Sequence, residues 1–346
     1  MGCKGELIAA VRQTNPVFSL VPRLAIARLT ANLYEEVATV MTESFLQPPR
    51  FLDAPSTPVP AQVRGLVWKI AVATLILMAI GSATRVANAG LACPDWPLCY
   101  GQLVPSQQMN LQVFLEWFHR LDAGFIGLST LGLLAWTVWE RHRLPGWLPW
   151  ASAGAVLLVM MQALLGALTV TEMLRFDIVT MHLGTALLFF AALLSIAVAL
   201  TPFQGSGATG RWLAIAAPTA TGLVYVQSLL GGLVASRWAV HQCLGGAAMC
   251  AIVHSHLLGV IPATVATGVA VGLAWNTPGL HPWLRRLATA AAGLVVLQIL
   301  LGLATMHLHL QVESLTVAHQ TIGALLLGVL LVLSLLVRQD RALAAG

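Results

Sequence analysis

The chain has 346 residues, of which 58% are hydrophobic and only 9% charged, and its formal net charge is +5. Soluble domains carry roughly 25% charged residues, so this composition excludes a water-soluble globular fold and places the chain in a lipid bilayer as a polytopic membrane protein. The positive excess reads as topogenic, and no nucleic-acid-binding patch is seen in it.

Residues 1–64 form an N-terminal extension expected to be weakly structured and cytoplasmic. It joins a basic start (Lys4, Arg12, Arg23, Arg28) to an acidic patch (Glu35, Glu36, Glu43) and a Pro-rich linker from Gln47 to Pro60. No basic, apolar and small-residue succession marks a cleaved secretory signal, and Glu35 and Glu36 argue against a transit peptide reaching that far. Windows of about 20 apolar residues then predict eight transmembrane helices. They cover residues 65–84, 113–138, 147–170, 178–201, 211–234, 248–275, 284–305 and 315–337. Arg64, Arg141, Arg143, Arg211, Arg285, Arg286, Arg338 and Arg341 fall on one side, and only Arg85, Arg175 and Arg237 on the other. The positive-inside rule therefore puts both termini in the cytoplasm.

The eight spans read as four written twice. Gln162-Ala-Leu-Leu-Gly166, Gln227-Ser-Leu-Leu-Gly231 and Gln298-Ile-Leu-Leu-Gly302 recur near the ends of spans three, five and seven, and span one keeps only the closing Gly81. The expected fold class is all-α: two tandem four-helix bundles, 65–202 and 203–346, related by a pseudo-twofold axis along the membrane normal.

Four histidines follow the same repeat. His119 and His182 are 63 residues apart, as are His256 and His319, and all four sit early in even-numbered spans. At that depth an imidazole is expected to face the bundle interior with a partner. Two imidazoles from different helices can supply both axial ligands of a haem lying between them. Zinc would want four ligands where each half offers two. A hydrogen-bonded structural histidine or a transporter proton relay are the competing readings.

The halves differ around their first histidine. Glu116-Trp117-Phe118-His119-Arg120 has as its counterpart Val253-His254-Ser255-His256-Leu257, so Glu116 has no acidic equivalent. Three residues from His119, it shares that helix face and is expected to point toward whatever His119 binds. Arg120 is not expected to pair with it, leaving Glu116 as a general base on water or a stabiliser of positive charge on the macrocycle edge. The plainer alternative is an interfacial charge favoured by the helix dipole. His254 and His256 face different ways on one helix, and the equal spacing favours His256 as the ligand. His241, His307 and His309 lie in or near the outer loops, where they could steer propionates or be solvated.

Two cysteine pairs follow spans one and five, Cys93 with Cys99 and Cys243 with Cys250. Outer loops face an oxidising compartment, so both pairs are expected as disulfides, serving as structural staple or exchanging dithiol. Neither has the Cys-x-x-Cys-His pattern of covalent haem attachment. Cys3 is expected to be a cytoplasmic thiol.

Arg85-Val-Ala-Asn-Ala-Gly-Leu-Ala-Cys93-Pro-Asp-Trp-Pro-Leu-Cys99-Tyr-Gly101, followed by Glu116-Trp-Phe-His119-Arg120 and the later histidines, resembles the haem A synthase (CtaA/Cox15) family over about residues 65–337. The loop cysteines resemble bacterial members more than mitochondrial ones, which implies a bacterial cell membrane, with the mitochondrial inner membrane as the alternative. The resemblance implies an oxidoreductase that converts haem O to haem A for cytochrome oxidase. It would oxidise a ring methyl to a formyl group by successive hydroxylations with water as oxygen source. It also implies His119 and His182 as ligands of substrate haem O, His256 and His319 as ligands of a cofactor haem b, Glu116 as the essential carboxylate, and disulfides in both loops. Handover from the enzyme that makes haem O is expected; the electron acceptor and any homo-oligomer are left open. The competing class is a bis-histidine membrane cytochrome or haem carrier, which has no need of Glu116.

Overall fold

The computed structural model describes residues 60–235, 247–308 and 312–343, the side chains of 247–250 excepted. The N-terminal extension up to residue 59, the pair Cys243 and Cys250, Arg237, His241 and His309 lie outside the described residues. Eight long α-helices carry the described chain: α1 Ala61–Val86, α2 Leu111–Trp139, α3 Leu148–Thr171, α4 Phe176–Ala199, α5 Arg211–Ala235, α6 Ala247–Asn276, α7 Pro282–His307 and α8 Glu313–Leu343. At 1.5 Å per residue each exceeds the roughly 30 Å of a bilayer core, and all eight are apolar enough to cross one. Among the described residues the only β feature is an isolated bridge between Cys99 and Gln102.

Helix starts are set by local chemistry that hydropathy does not register. Asn110 caps α2, its side-chain oxygen accepting from the backbone N–H of Val113 at 3.0 Å. Pro282 opens α7, with the His281 side chain accepting from the Trp283 N–H.

The principal packing partners form two rings. Helices α1, α2, α3 and α4 each pack on the next, and α4 returns to α1; α5, α6, α7 and α8 do the same, with α8 returning to α5. The rings meet where α1 and α4 pack on α8, and α4 on α5. Consequently α4 and α8 are the two most enclosed helices. Their approach is close: a Cβ at Gly328 of α8 would stand 3.0 Å from Phe190 and 3.2 Å from Leu194 of α4. Small residues let backbones approach where lipid supplies no hydrophobic drive between helices.

At one end of the bundle the 200–210 connection between the rings is pinned by Asp340, which is 0% exposed. Its Oδ1 accepts from the backbone N–H groups of Ser206 (2.5 Å) and Gly207 (3.1 Å), and its Oδ2 from the N–H (3.0 Å) and hydroxyl (2.6 Å) of Thr209. Asp340→Ala would leave these donors without an acceptor in a buried place, at a cost of about 3 kcal/mol. Unfolding in detergent should rank wild type above Asp340→Asn above Asp340→Ala, because asparagine keeps one acceptor oxygen. Equal stability of all three would show that the connection does not depend on this clamp.

At the opposite end two arginines bond within the protein. Arg85 donates to the Ala235 carbonyl (2.7 Å) and the Gln320 side chain (3.1 Å), tying α1 to α5 and α8. Arg175 forks onto both oxygens of Asp177 (2.9 and 2.7 Å) and reaches Glu172 at 3.3 Å. Its hydrogen bond to Asp177, then that carboxylate's charge, holds the guanidinium above its ordinary range.

Candidate functional site

Each of the four spaced histidines belongs to a helical hairpin and lies against a glycine of the helix before it. The glycines are the ones that close the repeated motif. A Cβ at Gly81, Gly231 or Gly302 would stand 2.8, 3.0 and 3.0 Å from Cε1 of His119, His256 and His319, and one at Gly166 3.5 Å from Cε1 of His182. At Gly81 an added Cβ would force the imidazole to shift, and at Gly231 and Gly302 it would press on the ring tightly.

The motif's glutamine works from the same helix face, one turn earlier. Gln162 Nε2 donates to the His182 carbonyl at 2.8 Å, and Gln227 Nε2 to the His256 carbonyl at 2.7 Å while lying 3.0 Å from its Nδ1. Gln298 Nε2 stands 3.4 Å from a ring nitrogen of His319. In α1 the corresponding place is Leu77, so His119 has no amide opposite it. The Gln-x-Leu-Leu-Gly repeat, legible in the sequence as a mark of duplication, is therefore also a seat for histidine.

In the second ring the His256 and His319 rings face each other with centroids 6.5 Å apart and planes at 87°. One metal between two imidazoles separates their centroids by roughly 6 Å, from a metal–nitrogen bond of about 2.0 Å on each side plus half of each ring. His254, two residues from His256, is exposed. The Nδ1 atoms of His119, His182 and His319 are buried without a hydrogen-bond partner, which suits rings whose donors and acceptors are completed by a bound group. Among the described residues no three His, Cys, Asp or Glu side chains converge. The spacing of His256 and His319 fits a haem between them, and His119 and His182, each seated on a glycine with a buried unpartnered Nδ1, have the donor chemistry to hold another. His307 ends α7 exposed.

Glu116 is 4% exposed, and here the structure corrects the expectation of an unpaired carboxylate. Arg120 Nη2 donates to Glu116 Oε1 at 2.6 Å. The two residues are four apart, not adjacent, and residues at that spacing share a helix face. Glu116 Oε2 accepts from the Cys93 backbone N–H at 2.8 Å. The same Arg120 donates to the carbonyls of Asp95 (2.5 Å), Leu98 (2.6 Å) and Cys93 (3.2 Å), so one guanidinium ties three carbonyls of the loop to the carboxylate. A Cys93–Cys99 disulfide closes that loop, both sulfurs' residues being buried. Within it the half-buried Asp95 accepts from the N–H groups of Gly101 (2.7 Å) and Tyr100 (2.6 Å), and these bonds, Gly101 foremost, hold its carboxyl below the usual range. Two of the roughly four acceptor positions on Glu116 remain for another proton donor.

A family model described as Cytochrome oxidase assembly protein (COX15-CtaA) matches residues 64–331. A protein named heme A synthase from Rhodospirillum centenum is 30% identical over 330 residues, covering 78% of this chain and 87% of the relative. Heme A synthases from Shewanella oneidensis (32% identical, 51% of this chain) and Bacillus licheniformis (30% identical, 38% of this chain) match over shorter stretches. The chain spans 59% and 43% of the length of those two relatives. With the model matched from α1 into α8 across both histidine pairs, the chain belongs to the COX15-CtaA family of cytochrome oxidase assembly proteins.

Proposed function

We propose that this protein is a haem A synthase, an oxidoreductase that converts haem O to haem A, and that its two rings are tandem four-helix bundles with one haem site each. The observation that carries this reading is the asymmetry between two similarly built histidine pairs: only the first has a buried, charge-anchored carboxylate one turn from a ligand. The ring contacts support the tandem arrangement. Exchanging α1 with α5 and α4 with α8 carries the α1–α8 contact onto α5–α4 and leaves α4–α8 unchanged. The arginine asymmetry supports cytoplasmic termini, and the bacterial relatives support a cell-membrane location.

In this reading His119 and His182 hold substrate haem O, and His256 and His319 hold haem b. When bound, haem b supplies a reversible one-electron store on the path to an acceptor outside the site. Glu116, paired with Arg120 and oriented by the Cys93 N–H, takes a proton from water as it attacks the ring methyl carbon oxidised by removal of an electron pair to the outside acceptor. A second such step gives a geminal diol, and loss of water leaves the formyl group. The apolar helix faces exclude other nucleophiles.

Haem analysis of the purified protein, distinguishing b, O and A types, tests this directly. His319→Met should change the low-spin spectrum of the resident haem b while leaving the first site loaded; an unchanged spectrum would place the cofactor elsewhere. The glycine seats give a second measurement. Gly81→Ala should weaken haem binding at the first site by about tenfold or more, since its Cβ collides with His119, whereas Gly166→Ala should titrate with haem as wild type does. Equal affinities in the two variants would remove His119 from the ligand set.

A further inference from the structure

Haem carries propionate carboxylates, and the histidine pairs do not say what receives them. A carboxylate in lipid is costly unless it is paired, so a haem held near one end of the bundle must send its propionates toward that end and meet a cation there. Arg85 stands in that place. It follows Gly81, the seat of His119, by one turn of α1, and its Nη1 donates at 2.7 Å to the carbonyl of Ala235. Ala235 in turn follows Gly231, the seat of His256, by one turn of α5. The Nη2 of Arg85 donates at 3.1 Å to Oε1 of Gln320, the residue after His319. Arg85 and Ala235 hold the same place in the repeat, so the first ring supplies a charge where the second has a methyl group.

Both of these bonds run to neutral oxygens. Among the described residues no carboxylate pairs with Arg85: Glu116 is held by Arg120, and Glu172 and Asp177 by Arg175. Asp95 is held by the N–H groups of its own loop, and Glu313 is exposed, two turns before Gln320 on α8. The segments 236–246, which follows Ala235 in the chain, and 309–311, which precedes α8, contain neither Asp nor Glu. A part-buried guanidinium that donates only to neutral acceptors keeps further N–H donors and its full charge for an anion. We propose that Arg85 binds a propionate of the haem held by His256 and His319, so that α1 of the first ring fastens the cofactor of the second. Both acceptors that orient the guanidinium lie on second-ring helices beside those histidines, which is why this haem rather than the other is its partner. The proposal rests on the reading of His256 and His319 as haem ligands.

The test compares iron protoporphyrin IX with its dimethyl ester, which has the same macrocycle and no free carboxylate, as ligands of the purified full chain. With the first site disabled by His119→Ala, the second should bind the free acid about tenfold or more tighter than the ester. Arg85→Gln should erase that preference by weakening acid binding while leaving ester binding as it was. Arg85→Lys, which keeps the charge without the fork, should retain part of it. Equal binding of acid and ester at the second site with Arg85 in place would overturn the proposal, whether or not any Arg85 variant folds. So would an Arg85→Gln protein that binds acid and ester equally worse, the result expected of a tie between α1, α5 and α8 that touches no haem. His319→Ala isolates the first site: an acid preference that Arg85→Gln removes there and not in the second would give the arginine to the other haem and overturn the assignment. If His319→Ala leaves the haem spectrum unaltered, the ligand reading itself has failed; if it alters the spectrum while Arg85→Gln keeps the acid preference at the second site, only the role of Arg85 has.

Discussion

Glu116→Gln should leave haem bound in both rings and stop the conversion of haem O to haem A, lowering turnover by at least about 10²-fold, the lower end of what a positioned general base contributes. The glutamine is nearly isosteric and can still accept the Cys93 N–H bond that Glu116 Oε2 accepts at 2.8 Å. Arg120 keeps its bonds to the carbonyls of Cys93, Asp95 and Leu98, so the loop has other anchors. What disappears is the negative charge and the capacity to take a proton. A bis-histidine cytochrome would be indifferent to that loss, because electron transfer between haems needs the imidazoles and the apolar wall but no base. Haem A produced at the wild-type rate by Glu116→Gln would therefore exclude the catalytic role and leave the cytochrome or carrier as the better reading.

Much of the architecture was legible because membrane helices obey one dominant rule. An unsatisfied backbone is too costly in lipid, so each long apolar run becomes a helix. All eight predicted spans correspond to helices. The discrepancies lie at the ends, where polar side chains rather than hydropathy decide. The last span was expected to stop at residue 337, but α8 continues to Leu343. It does so because Asp340 folds back onto 206–209, a contact between residues more than 130 apart that no window can see.

The candidate site was legible in a different measure. Equal spacing brought out His119, His182, His256 and His319, since duplication preserves register, and it also favoured His256, which faces His319, over His254, which is exposed. The glutamine motif was visible too, yet its meaning depends on which residue of the following helix lies opposite, and spacing along one helix does not contain that. Arg120 was a failure of a simpler kind: the four-residue separation from Glu116 was available in the sequence and predicts the ion pair. Its contacts with three loop carbonyls were not available, because the loop's path back over α2 follows from tertiary packing.

Arg120→Ala should be the most destabilising single change in the outer loop, at about 3–5 kcal/mol, because it leaves a buried carboxylate uncompensated. Glu116 and Arg120 side chains are only 5% and 15% exposed, so little solvent is at hand to screen the charge left behind. Arg120→Lys should rescue poorly: the guanidinium reaches four residues at once, and a compact ammonium cannot reproduce that fork. The decisive comparison is a double-mutant cycle in detergent. If the stranded charge is the cause, Glu116→Gln combined with Arg120→Ala should be more stable than Arg120→Ala alone, despite carrying one substitution more. If both are equally unstable, the three carbonyl bonds dominate and Arg120 is chiefly a loop anchor. The two contributions also separate in a second observable. Loss of the carbonyl bonds should expose the buried Cys93–Cys99 disulfide to reductant in both the single and the double variant, whereas haem conversion should fail in every variant that lacks a correctly aimed Glu116 carboxylate. Arg120 would then be shown to serve loop and carboxylate together, which is why the disulfide loop and the Glu-x-x-His-Arg segment occur as one unit in this chain.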